Sequence, residues 1–159
     1  MRKVMLIVCA CACACAGVVA VAGLASAADD LAQAVKERRA LMDDVVRPAA
    51  KLGGDMIKGK IPFDADKAAA AMLEISDVPE TYVTLFPAGS EADAVPDSEA
   101  SSKIWEDFEG FKELAQKLEE TSTAAAAAAE QGAGPFKAAF GEMTQMCKKC
   151  HKAYRVKKD

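Results

Sequence analysis

Residues 132–154 read GAGPFKAAFGEMTQMCKKCHKAY, and the spacing within this stretch decides the fold. Phe136, Phe140, Met143, Cys147, Cys150 and Tyr154 recur at alternating steps of four and three. Residues so spaced share one face of an α-helix. The preceding Gly132-Ala133-Gly134-Pro135 supplies its start, because Gly ends the element before it and Pro suits a first helical turn. Both cysteines therefore fall on the apolar face. The residue after the second, His151, is the single histidine among 159 residues.

The same period continues upstream. Leu31, Val35, Arg38, Met42, Val45, Ala49, Leu52 and Met56 form one stripe after the start signal Asp29-Asp30. This predicts a first long helix, bent at Pro48 and weakened at Gly53-Gly54. Ile61-Pro62-Phe63 breaks the pattern, and Asp64 is the expected N-cap of a second helix carrying Ala65, Ala68, Met72 and Ile75, limited by Pro79. Residues 81–98, rich in Pro, Gly, Ser and acids, read as a surface loop. A third helix is expected to begin near Ser98–Ser102 with Ile104, Phe108, Phe111, Ala115 and Leu118 on its face. The run Ala124–Ala129 extends it by propensity alone, as a featureless spacer. No stretch alternates as a strand does. Four amphipathic helices with mostly short connections predict an all-α, antiparallel four-helix bundle, whose facing side chains can build a cofactor site.

The N-terminus belongs to a different class. Arg2 and Lys3 precede an apolar run from Val4 to about Ala22, and Ala25-Ser26-Ala27 supplies small residues for cleavage. This predicts a cleaved signal peptide over residues 1–27, export to the periplasm, and one domain over 28–159. Four of the six cysteines, Cys9, Cys11, Cys13 and Cys15, leave with it, so no disulfide framework is expected. Losing Arg2 and Lys3 takes two positive charges from a formal net charge of −4, giving −6. That acidic balance argues against nucleic acid as a partner. No later run is long and apolar enough for stable membrane insertion.

Cys147-Lys148-Lys149-Cys150-His151 is the C-x-x-C-H signature of covalently attached haem c. Two thiols one turn apart can add to the two porphyrin vinyl groups, and the adjacent imidazole can then ligate the iron as proximal ligand. A thioredoxin-like pair would instead open a helix in a βαβ setting, where the dipole lowers a thiol pKa. A zinc site would need a fourth Cys or His that residues 28–159 do not contain. One motif predicts one haem.

With these residues in hand, the chain resembles the class II cytochromes c, the cytochrome c-prime family. Supporting matches are Arg38-x-x-x-Met42, Gly59-Lys60-Ile61-Pro62-Phe63, Phe86-Pro87-Ala88-Gly89, Ile104-Trp105-Glu106-Asp107 and His151-Lys152-Ala153-Tyr154-Arg155. The resemblance implies a periplasmic haem protein with a left-twisted bundle, often a homodimer. It also implies one of two behaviours: five-coordinate iron that binds NO or CO, or six-coordinate iron that shuttles electrons with a first-helix methionine as ligand.

With His151 used, methionine is the remaining common axial ligand. Met143 and Met146 share the helix of His151 and flank its side of the iron, leaving Met42, Met56 and Met72. Met42 lies mid-helix on the stripe of Arg38, where the resemblance also puts the distal residue. It either ligates the iron or covers it as core packing. Arg38 is the odd member of an apolar face, and a haem propionate would give its guanidinium a partner; otherwise it snorkels. Arg155 stands beside the proximal imidazole by resemblance, or belongs to a solvated basic helix end. The expected function is a periplasmic monohaem one-electron carrier serving redox partner proteins, with the gas-binding cytochrome c-prime as alternative. An enzyme is not expected, because no nucleophile, base and orienting group come together in the sequence.

Overall fold

The computed structural model describes residues 18–157, with side chains from residue 27. Residues 1–17 of the expected signal peptide lie outside the described residues. The first rod comprises α1 (Val18–Ala40), a π-helical turn (Leu41–Val46) and α2 (Arg47–Ile57). Then follow α3 (Ala65–Ser76), a short α4 (Val78–Tyr82), a single turn α5 (Lys103–Glu106), α6 (Phe108–Glu130) and α7 (Ala133–Tyr154). The rod, α3, α6 and α7 are the four members of an antiparallel bundle, in which α6 packs against both α3 and α7, and α2 against α3. Among the described residues no helix is long and apolar enough to cross a membrane.

The bend expected at Pro48 takes a specific form. In an unbroken α-helix the proline ring collides with the carbonyl of Asp44 and offers that carbonyl no N–H. The turn just before it is wound wider, and the Arg47 N–H reaches back five residues to the Met42 carbonyl. Pro48 then sits in the first turn of α2, where a missing N–H costs little. Met42 is thereby mounted in the π turn itself, a local geometry that often marks functional positions.

Gly53 and Gly54 do not end the rod, which runs on to Ile57. Gly53 is buried because α7 comes close: a Cβ there would lie 2.7 Å from Phe140 Cε2 and 3.2 Å from Phe136 Cζ. At Gly54 the nearest approach is 3.9 Å, from Phe140 Cζ. Gly53→Ala is therefore expected to lower stability by about 1 kcal/mol net, overpacking outweighing the gain in helix propensity. Gly54→Ala gains that propensity without the clash. Thermal melts of the two holoproteins should fall on opposite sides of the wild type; a Gly53→Ala melt above that of Gly54→Ala would contradict the close approach.

The main core joins Met56, Met72, Ile75, Phe136 and Met143 around a floor of alanines. Ala125 and Ala129 are fully buried and Ala126 nearly so. The alanine run is thus no spacer. Its small side chains let α6 lie close to its neighbours, and a larger residue there would overpack.

Asp64 caps α3 as expected, its side chain accepting from the Lys67 N–H at 3.0 Å. The third helix differs from the sequence reading. It is split at Asp107, whose carboxylate accepts from the Gly110 N–H and so caps α6. Residues 83–102 are more than a surface loop. Ser90 and Ser98 are fully buried, and Phe86 packs with Ile104, Phe111 and Tyr154 in a second core.

Candidate haem site

Between the π turn, α4, α6 and α7 runs a slot made of two cavities, of about 240 and about 60 Å³. Met42, Tyr82, Phe111, Cys150 and His151 border both of them. The smaller is apolar, closed by Val46, Val78, Leu114, Leu118 and Met146, with Cys147 on its wall. The larger opens among Arg38, Arg39, Arg47 and Arg155. One end is thus hydrocarbon and the other cationic.

The α7 spacing puts Cys147 and Cys150 on the inward face as half-buried, unbridged thiols. Burial pushes the Cys150 thiol up to about 11, with Cys147 adding to the effect, and raises Cys147 too. A redox-active pair needs the opposite shift, toward the thiolate. Cys147 Sγ rests 3.9 Å from Met143 Sδ and 3.7 Å from the Met143 carbonyl oxygen. His151 is exposed and borders both cavities. Burial of part of the ring and the nearby Arg155 guanidinium hold its pKa below the ordinary histidine value, which favours the neutral imidazole. Among the described residues no three His, Cys, Asp or Glu side chains gather to hold a bare metal ion.

Of the three candidate methionines, only Met42 reaches the slot; Met56 and Met72 are core residues. Arg38 also borders it, yet its terminal nitrogens are engaged by the 83–102 loop. Nη1 donates to the Leu85 carbonyl at 3.2 Å and to Ser90 Oγ at 2.9 Å. Nη2 donates to the Ser90 carbonyl and to Ser98 Oγ, both at 2.6 Å. Its guanidinium carbon lies 4.5 Å from the Phe86 ring centroid. The arginine on the apolar stripe is therefore buried rather than snorkelling, and it ties α1 to the loop.

Arg155 reaches the slot by a route the helical spacing does not describe. The helix ends at Tyr154, and Arg155 is already extended, with φ −116° and ψ 133°. It pairs with Ala100 in an isolated antiparallel bridge, supported by the Ser101 N–H to the Tyr154 carbonyl and the Val156 N–H to the Glu99 carbonyl. Its Nε donates to Glu99 Oε2 at 2.6 Å. Around the mouth, Arg47 pairs with Asp43 at 2.8 Å and Arg39 with Asp97 at 3.7 Å. Such exposed pairs contribute about 1 kcal/mol or less each.

Two tyrosines on the wall carry no site role in the sequence reading. Tyr154 donates its hydroxyl to Asp107 at 2.7 Å, joining the end of α7 to the cap of α6. Tyr82, at the end of α4, borders both cavities. Tyr154 lies on the α7 stripe and was legible only as core; Tyr82 sits in a stretch without a period.

The residues fit a haem on the chemistry of their donors. Two protonated thiols and a neutral imidazole share one helix face, beside a slot with an apolar depth and an arginine-lined mouth for carboxylates. Together, fold and slot define a helical-bundle haem protein of the c type.

Comparison with known proteins agrees. The model of the Cytochrome C' family matches residues 33–155. Cytochrome c-554 of Cereibacter sphaeroides is 32% identical over 140 residues, covering 87% of this chain and 91% of that protein. The structure of cytochrome c' from Rhodopseudomonas palustris superposes with a TM-score of 0.73 at 32% identity, covering 79% of this chain and 98% of its own. The cytochrome c prime of Alcaligenes xylosoxidans, solved as the nitric oxide complex of a point mutant, gives a TM-score of 0.69 at 29% identity and covers 79% of this chain and 95% of its own. The chain belongs to the cytochrome c-prime family, and its cofactor is a covalently attached haem c.

Proposed function

We propose that residues 28–159 form a periplasmic one-electron carrier in which Cys147 and Cys150 hold the haem by thioether bonds, His151 ligates the iron, and Met42 is its second axial ligand. The reading is supported above all by Met42: it alone of Met42, Met56 and Met72 shares the slot with Cys150 and His151. When bound, the haem supplies a one-electron couple, and Met/His ligation places it at the higher end of the potential range. The chain's own part is to fix the ligands and exclude water. Phe111, Leu114 and Leu118 close the deep end against solvent. The π turn carries the Met42 thioether, and Arg155 beside His151 favours its neutral form. Proteins of the same compartment would be its redox partners.

A second reading, five-coordinate iron binding NO or CO with Met42 only covering it, is favoured by the nitric oxide complex of the Alcaligenes relative. Spectra separate the two. The carrier is low-spin in both oxidation states, with a thioether-to-iron charge-transfer band when ferric, and takes up CO slowly. Met42→Leu should abolish that band, turn the iron high-spin and open it to rapid CO uptake. A wild-type protein that is already high-spin and takes up CO rapidly supports the second reading. A low-spin protein whose spectra are unchanged by Met42→Leu has its ligand elsewhere.

A further inference from the structure

Tyr82 is a polar group on the wall of both cavities. Its ring is held edge-on to Phe86, with centroids 5.1 Å apart, and tilted against Phe111 at 6.3 Å. No hydrogen bond among the described residues involves its hydroxyl. Tyr154, the other tyrosine of the slot, is satisfied by Asp107. The Tyr82 side chain is half-buried, and a phenol on a cavity wall is placed to bond a group that enters the cavity. Burial pushes the Tyr82 pKa up to about 12, so the group stays protonated and acts as a donor.

Its surroundings say what kind of acceptor is wanted. The titratable side chains close enough to act on the phenol are Cys150, then Arg38, Arg155 and Glu99. The two arginines are donors only and cannot accept its proton. Glu99 accepts from Arg155 across the mouth. The phenol thus stands where the two cavities meet, within reach of the arginine-lined end that favours a carboxylate electrostatically. Both terminal nitrogens of Arg38 are taken up by Leu85, Ser90 and Ser98. Arg38 therefore lends this end its charge, and the phenol adds a neutral donor beside it.

We propose that Tyr82 donates a hydrogen bond to a haem propionate and so acts as a positioning residue for the cofactor. The proposal rests on the reading that the haem is held through Cys147, Cys150 and His151. A charge-assisted bond of this kind would be short and would hold the carboxylate in place. It also draws negative charge away from the iron's surroundings, which favours the ferrous state.

The test uses the mature holoprotein, wild type and Tyr82→Phe, which keeps the ring and its contacts with Phe86 and Phe111. Mass analysis of the proteolytic fragment containing Cys147 and Cys150 first checks the haem's place. Haem absent from that fragment overturns the underlying reading and this one with it. With haem present, resonance Raman spectra of the wild type should show a propionate bending band that moves on transfer to D2O, a readout that needs no variant. In Tyr82→Phe that band should shift and lose its D2O sensitivity, and the midpoint potential at fixed pH should fall. A band insensitive to D2O in the wild type and unmoved in the variant, with an unchanged potential, overturns the proposal while leaving the attachment intact.

Discussion

A chain in which Cys147 and Cys150 are both replaced by alanine is expected to leave a host competent for cytochrome maturation colourless and at the mass of the bare polypeptide. Each thioether needs its own sulfur, and no other cysteine lies within residues 28–159. His151 alone can coordinate iron but cannot bind the porphyrin covalently. Both proposed attachment points lie one turn apart on α7 and border the same slot, so the double replacement removes every covalent anchor the proposal offers. Single replacements should each keep haem on one bond, in lower yield. A double variant that still carries covalent haem would move the attachment away from this motif and remove the basis of the proposed function.

The second large effect falls on stability. Phe136 is completely buried, and its ring centroid lies 5.7 Å from that of Phe63 and 5.6 Å from that of Phe140. It fills the space left where α7 crosses the small surface at Gly53. Phe136→Ala removes a whole ring from this junction, and the bundle can collapse onto the void only partly. The expected loss is about 3–5 kcal/mol, seen as a melting temperature lower by roughly 10–20 °C in the holoprotein. That is a large fraction of the ~5–15 kcal/mol by which domains are stable. A variant melting within about 2 °C of wild type would mean that the ring does not fill this space.

The parts legible in the sequence are those governed by local rules. The stripes of α3, α6 and α7 follow helical period, the Asp64 cap follows side-chain chemistry, and the C-x-x-C-H motif carries its own spacing. What escaped depends on distant partners. Arg38 reads as an anomaly on an apolar face, and its acceptors on Ser90 and Ser98 lie 52 and 60 residues away. The alanines of α6 look inert because propensity says nothing about what packs on them. Arg155 keeps helical spacing from His151, its N–H still bonded to the His151 carbonyl, yet a bridge to distant Ala100 also holds it at the slot. The π turn was visible only as a proline that had to be accommodated somehow.

The ties around the slot mouth carry a consequence for the order in which the molecule assembles. Arg38 to Ser90 and Ser98, Tyr154 to Asp107 and Arg155 to Glu99 join residues 47 to 60 positions apart. The α6–α7 hairpin, by contrast, closes over a two-residue connection. Contacts of high sequence separation bear the larger loop-closure entropy and form late. The rim ties therefore carry a larger loop-closure entropy than the hairpin that bears Cys147 and Cys150, so loosening the rim costs the α6–α7 pairing little.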